Sequence, residues 1–121
     1  MNETILIVDD QEDICALIEG VLGDEGYKTL VAKESQTALE IIAGQSPDMA
    51  ILDIWLENSD MDGMQLLKKL VKSHPAMPVI MISGHGNIET AVSAIQVGAY
   101  DFIEKPFKSE RLLLLVRRAL E

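Results

Sequence analysis

The 121 residues suffice for one domain with one hydrophobic core and not for two. With 48% hydrophobic and 25% charged residues the composition is that of an ordinary globular protein, and no apolar run approaches the roughly 20 residues of a membrane span. The net charge of −10, from 20 acidic and 10 basic residues, argues against nucleic-acid binding by this chain, because affinity for polyanions rests on Lys and Arg.

The opening residues MNETILIVDD lack a basic segment followed by an apolar stretch, so no secretory signal is read there. Cys15 is the single cysteine and has no partner for an internal disulfide, which makes a reducing, cytoplasmic setting the default expectation. Five short apolar runs follow one another: ILIV (5–8), TLVA (29–32), MAIL (49–52), PVIMI (78–82) and YDFIE (100–104). Each is too short for a helix, and most are β-branched or aromatic, so they read as strands.

Helical spacing fills the gaps between them. Ile14, Leu17, Ile18, Val21 and Leu22 predict one helix face. Ala38, Leu39 and Ile42 predict a second, and Met64, Leu67, Leu70 and Val71 a third. Ile88, Ala91, Val92 and Ile95 predict a fourth, with Gly98 placed to stop it. Leu112, Leu115, Val116, Ala119 and Leu120 predict a fifth, with Leu113 and Leu114 outside its main stripe. Such off-stripe leucines suit either a wide buried face or a dimer or module contact, and the second is favoured.

Strands alternating with helices indicate an α/β domain with a parallel sheet. ILIV, MAIL and PVIMI are apolar throughout, as strands buried on both faces should be. The two strands holding Lys28 and Asp101 suit the edges. The flavodoxin-like (CheY-like) doubly wound order 2-1-3-4-5 satisfies both conditions. The fifth helix meets the last residue without a Gly or Pro stop, so residues 1–121 are expected to be the N-terminal domain of a longer protein.

In open parallel sheets ligands gather beyond the carboxyl ends of the strands. Here those ends carry Asp9-Asp10, Asp53, Ser83-Gly84 and Lys105-Pro106. Each alone reads as a turn, a cap or a connector; their coincidence on one rim does not. Clustered carboxylates raise one another's pKa values unless a cation lies among them. An all-oxygen set with room for water suits Mg²⁺. An Asp carboxylate can form an aspartyl phosphate, and phosphoryl transfer needs in-line positioning and neutralised equatorial oxygens. Lys105, Ser83 and the metal can supply those.

The pieces ILIVDD, AILDI, MDG at 61–63, VIMISGHG and GAYDFIEKPF resemble the response-regulator receiver domain of two-component systems, over the whole chain. The resemblance implies that Asp53 is the phosphoacceptor, receiving its phosphoryl group from a histidine kinase. It implies a Mg²⁺ site made by Asp10, Asp53 and the backbone carbonyl of Trp55, with Asp9 supporting the metal through water. Ser83 would be the hydroxyl switch residue, Phe102 the aromatic switch, and Lys105 the phosphate-binding lysine, with a cis bond to Pro106. The chain would catalyse only its own phosphorylation and dephosphorylation, and it would act on dimerisation through the face of the fourth helix, fifth strand and fifth helix.

The loop after Asp53, IWLENSD, is two residues longer than the common receiver loop and has no proline. With SGHGNIETAV and GAYDFIEKPF it is similar to the NtrX-type branch of NtrC-like, sigma-54-dependent regulators. That likeness implies a C-terminal ATPase and DNA-binding output. Trp55 and His85, two residues beyond Asp53 and Ser83, occupy positions that tune phosphate lifetime in the family; Trp55 could equally anchor the loop. His74 reads as a helix-end residue and Cys15 as a buried or half-buried helix residue. Two other activities fit the fold less well. A phosphohydrolase working through an aspartyl phosphate needs a second acid where Trp55 stands. A flavin or nucleotide binder needs a phosphate loop where this chain has DDQED.

Overall fold

The computed structural model describes residues 3–84 and 88–121. Its elements follow in the order β1 (Thr4–Val8), α1 (Glu12–Asp24), β2 (Lys28–Ala32), α2 (Ser35–Gln45), β3 (Met49–Asp53), α3 (Gly63–Ser73), β4 (Val79–Ser83), α4 (Ile88–Val97), β5 (Asp101–Glu104) and α5 (Ser109–Leu120). The strands form one parallel sheet in the order β2-β1-β3-β4-β5. The expected strand order therefore holds, with the two more polar strands at the edges.

Side chains alternate across the strands and fill two layers. Leu6, Val8, Ala50, Leu52 and Met81 meet α2, α3 and α4 on one face. Ile5, Ile7, Ile51, Ile80 and Ile82 meet α1 and α5 on the other. The three inner strands are buried on both sides, which explains their uninterrupted apolar runs. No helix among the described residues is long and apolar enough to cross a membrane.

Three helix faces differ from the pattern read in the sequence. In α1 the core residues are Cys15, Ile18 and Leu22, while Leu17 is 48% exposed. Ile18 has apolar neighbours on both sides, so spacing alone could not choose the stripe, and the small Cys15 fits closer to the sheet. In α4 Ala94 is buried, the one such position among the residues described from 89 to 97, and Val92 and Ile95 stand 48% and 45% exposed. A small residue allows α4 to lie close to the rest of the fold, which turns the branched residues outward. In α5, Leu113 packs half-buried on the α1–α5 layer and only Leu114 faces solvent.

Two glycines mark where the chain tolerates nothing larger. Gly98 ends α4 at φ +135° beside Val71. Gly63 opens α3 directly against the backbone of β3: a Cβ there would lie 2.0 Å from the Asp53 carbonyl oxygen and 2.6 Å from the Ile54 Cα. The MDG motif thus contains a residue dictated by close backbone approach, and Asp62 beside it caps α3 reciprocally with Gln65.

This geometry separates two superficially similar substitutions. Gly63→Ala is expected to destabilise by about 2–4 kcal/mol, because backbone must move. Gly20→Ala on α1, with nothing within 4 Å, is expected to stabilise by about 0.5–1 kcal/mol. Urea unfolding of both variants measures the difference in sign.

Candidate functional site

The carboxyl ends of β1, β3, β4 and β5 deliver the polar residues to one rim. Asp9 follows β1, Asp53 and Ser83 are the last residues of β3 and β4, and Lys105 follows β5. Asp9, Asp53 and Ser83 are buried, at 1%, 5% and 2% exposure, whereas Asp10 is half-exposed. Carboxylate oxygens of Asp9, Asp10 and Asp53 all lie within 4.8 Å of one another. Lys105 N donates to the Ser83 carbonyl at 2.7 Å, continuing the β4–β5 ladder and aiming the lysine side chain back across the site.

The Lys105 ammonium holds the centre. It lies 3.0 Å from Asp9 Oδ2, 3.5 Å from Asp53 Oδ2, and donates to Gln11 Oε1 at 3.0 Å. Asp9 Oδ1 accepts the backbone N–H of Gln11 at 2.8 Å, and its carbonyl accepts Cys15 Sγ at 3.3 Å. Asp9 Oδ2 is fully buried and has no directed hydrogen bond; its contact with Lys105 is purely ionic. Asp53 Oδ1 accepts the N–H of Trp55 at 3.2 Å, and Asp10 Oδ2 accepts that of Glu57 at 3.4 Å.

One ammonium does not balance three carboxylates. Burial raises the Asp53 carboxyl most, the Asp9 charge adds to it, and Lys105 with the Trp55 N–H opposes them, leaving a pKa of about 6. The donor set is all oxygen, one buried oxygen lacks a directed partner, and the open side is a pocket lined by Asp10, Gln11, Asp53, Trp55, Glu57, Gly84 and Lys105. Those features fit a small hard divalent cation with water in its shell, as Mg²⁺ prefers. Cys15 sits beneath, with burial and the Asp9 charge pushing its thiol up to about 11, so it is an inert core residue.

The expected residues fall as follows. Asp10, Asp53, Trp55 and Lys105 line the pocket, and Asp9 is buried beside Lys105. Ser83 lies buried at its β4 side. The Lys105–Pro106 bond is cis. Phe102 is half-buried, paired in register with Met81 on β4, and lines a groove of about 500 Å³ between α4 and α5. His85 lies outside the described residues. Trp55 is 58% exposed, and the side chain that seats the loop is Leu56, at 7%. Gln11 and Glu57 were not singled out from the sequence. The first has no signal beyond following Asp9-Asp10, and the second reaches the site only through the path of the loop.

These features define a receiver: the chain belongs to the response regulator receiver domain family, whose pattern it matches over residues 5–117. Within that family its likeness is to NtrX-type members of the NtrC-like regulators. It is 54% identical over its whole length to the nitrogen assimilation regulatory protein NtrX of Azorhizobium caulinodans, covering 27% of that protein. It is 35% identical over 116 residues to the DNA-binding transcriptional regulator NtrC of Escherichia coli, covering 24% of it. The crystal structure of the receiver domain of NtrX from Brucella abortus superposes with a TM-score of 0.93 at 57% identity, over 96% of this chain and 97% of that one. The chain thus spans about a quarter of the length of the curated relatives it matches.

The strained charge on Asp53 has a measurable sign. A carboxyl whose pKa is raised by folding favours the native state when protonated, and that contribution is lost as pH rises through about 6. Without divalent cation, Asp53→Asn is therefore expected to be more stable than the parent at pH 7.5, by about 1–3 kcal/mol. The gap should close at pH 4 and narrow again when Mg²⁺ is added. Paired thermal melts at the two pH values provide the check.

Proposed function

We propose that this domain accepts a phosphoryl group from a histidine kinase on Asp53 and transmits its arrival to an output module. The observation that carries the proposal is the Asp53 carboxylate, buried at a strand end, raised in pKa, and facing both an ammonium and a pocket open to solvent. A carboxylate oxygen attacks phosphorus, the bond from phosphorus to the donor imidazole nitrogen breaks, and an acyl phosphate forms on Asp53. The catalysed chemistry is confined to the domain's own phosphorylation and dephosphorylation.

Asp10, Asp53 and the Trp55 carbonyl would hold Mg²⁺, with Asp9 supporting it through water. The cation supplies charge neutralisation between the incoming phosphoryl oxygens and the carboxylates. Lys105, already between Asp9 and Asp53, neutralises a second direction. The Ser83 hydroxyl is the hydrogen-bond donor for a third oxygen. Its movement, followed by that of the half-buried Phe102, would reshape the face of α4, β5 and α5. Moving such a switch from 1:99 to 99:1 needs about 5.5 kcal/mol of differential stabilisation, within reach of several charge-assisted hydrogen bonds.

That face also carries the exposed apolar residues Val92, Ile95, Tyr100 and Leu114. They support a homodimer contact there, with the absent C-terminal module controlled through it. Residues 1–121 would then be the N-terminal receiver of a transcription regulator acting in the cytoplasm, with nucleic-acid contacts left to the other modules. Trp55, exposed beside the pocket, and His85 are the candidates for tuning phosphate lifetime.

Intact-protein mass spectrometry after incubation with acetyl phosphate tests the reading. A single, hydroxylamine-labile adduct that needs Mg²⁺ and is absent in Asp53→Asn is the expected result. Lack of any adduct, with a partner histidine kinase also supplied, would leave a binding module that is never phosphorylated.

A further inference from the structure

The loop between β3 and α3, residues 54–62, is held more firmly on one side than on the other. Its base is closed where Ile54 N donates to Ile82 O and Gly63 N to Ile54 O, both at 2.9 Å. The near arm, 55–57, borders the acidic pocket through two long contacts: Trp55 N to Asp53 at 3.2 Å and Glu57 N to Asp10 at 3.4 Å. The chain then reverses at Asn58, whose φ of 53° is left-handed. The far arm, 59–61, meets Ser35, the first residue of α2.

Contacts on that far side are shorter and more numerous. Ser35 N donates to Ser59 Oγ at 2.8 Å, and Met61 N donates to Ser35 Oγ at 3.1 Å. The two hydroxyl oxygens are 2.9 Å apart, and Ser59 Oγ lies 2.8 Å from the Met61 carbonyl. With one proton per hydroxyl, every group is satisfied when Ser59 donates to Met61 and Ser35 donates to Ser59. Ser35 is fully buried, so loss of either hydroxyl strands polar groups away from water.

We infer that Ser35 and Ser59 form a latch that positions the β3–α3 loop over the acidic pocket and thereby sets its affinity for Mg²⁺. The inference rests on the reading that Asp10, Asp53 and the Trp55 carbonyl hold the cation. Without a cation the near arm faces repulsion, because Glu57 lines the same pocket as Asp10 and Asp53. Leu56 and the latch oppose that repulsion, and the latch ties the loop to α2 by hydrogen bonds. Ser35 and Ser59 are positioning residues: they act on the site through the backbone of residues 55–57.

Mg²⁺ titration of the 121-residue domain, followed by calorimetry and by the fluorescence of its single tryptophan, Trp55, tests the latch. Ser59→Ala and Ser35→Ala should each weaken Mg²⁺ binding about five- to twentyfold. The double variant should be no weaker than the worse single one, and Ser59→Thr should recover to within about twofold. Amide exchange of Trp55 and Glu57 in cation-free protein should quicken about tenfold in Ser59→Ala, a readout independent of the metal. Mg²⁺ affinity in folded Ser59→Ala within twofold of the parent would overturn the latch and leave the metal site standing. Failure of the parent to bind Mg²⁺ at millimolar concentration would instead overturn the site reading, and the latch with it.

Discussion

Three carboxylates and one ammonium crowd the carboxyl ends of the central strands, and the charge there does not cancel. Asp9 and Asp53 are buried, and Lys105 reaches both. Burial first, and then the charge of Asp9, hold the Asp53 proton to a pH near 6. A site under this tension has a lower-energy state only with more positive charge in it. The proposed divalent cation would relieve that imbalance, and its charge, with that of Lys105, would then be available to neutralise the proposed phosphoryl group. The inner strands that carry the site are buried on both faces.

The elements around the site each remove a freedom from it. The ladder bond from Lys105 to Ser83 fixes the approach of the lysine. Gly63 brings α3 against the backbone of Asp53. Gln11 binds Asp9 through its amide and Lys105 through its side chain, tying the start of α1 to the ammonium. Serines 35 and 59 tie the loop to α2. The open direction is the solvent-facing pocket, where Trp55 stands exposed. The apolar residues of α4, β5 and α5 lie on a different surface, joined to the site through β4, β5 and Phe102.

Much of the fold was legible in the sequence because burial on both faces of a parallel strand leaves an unmistakable apolar run. The helix faces were less legible. Where apolar residues flank a helix on several sides, as Cys15, Leu17 and Ile18 do, periodicity admits more than one stripe. Val92 and Ile95 were assigned to the core by the same rule, yet Ala94 takes that place. Spacing records hydrophobicity, whereas the fit between α4 and its neighbours depends on side-chain size.

The sequence by itself determined the strand order, the edge strands and the set of polar residues at the strand ends, since each follows from local pattern and chain order. Tertiary structure alone decided which of those groups touch. Gln11 and Lys105 are far apart in the chain and meet at 3.0 Å, and Ser35 and Ser59 meet at 2.9 Å. No local pattern marks such pairs, because a hydrogen bond between distant residues is set by how β-strands and loops pack, not by the residues on either side. The same holds for Gly63: its motif is visible in the chain, but the carbonyl of Asp53 that excludes a side chain there is brought to it only by the fold.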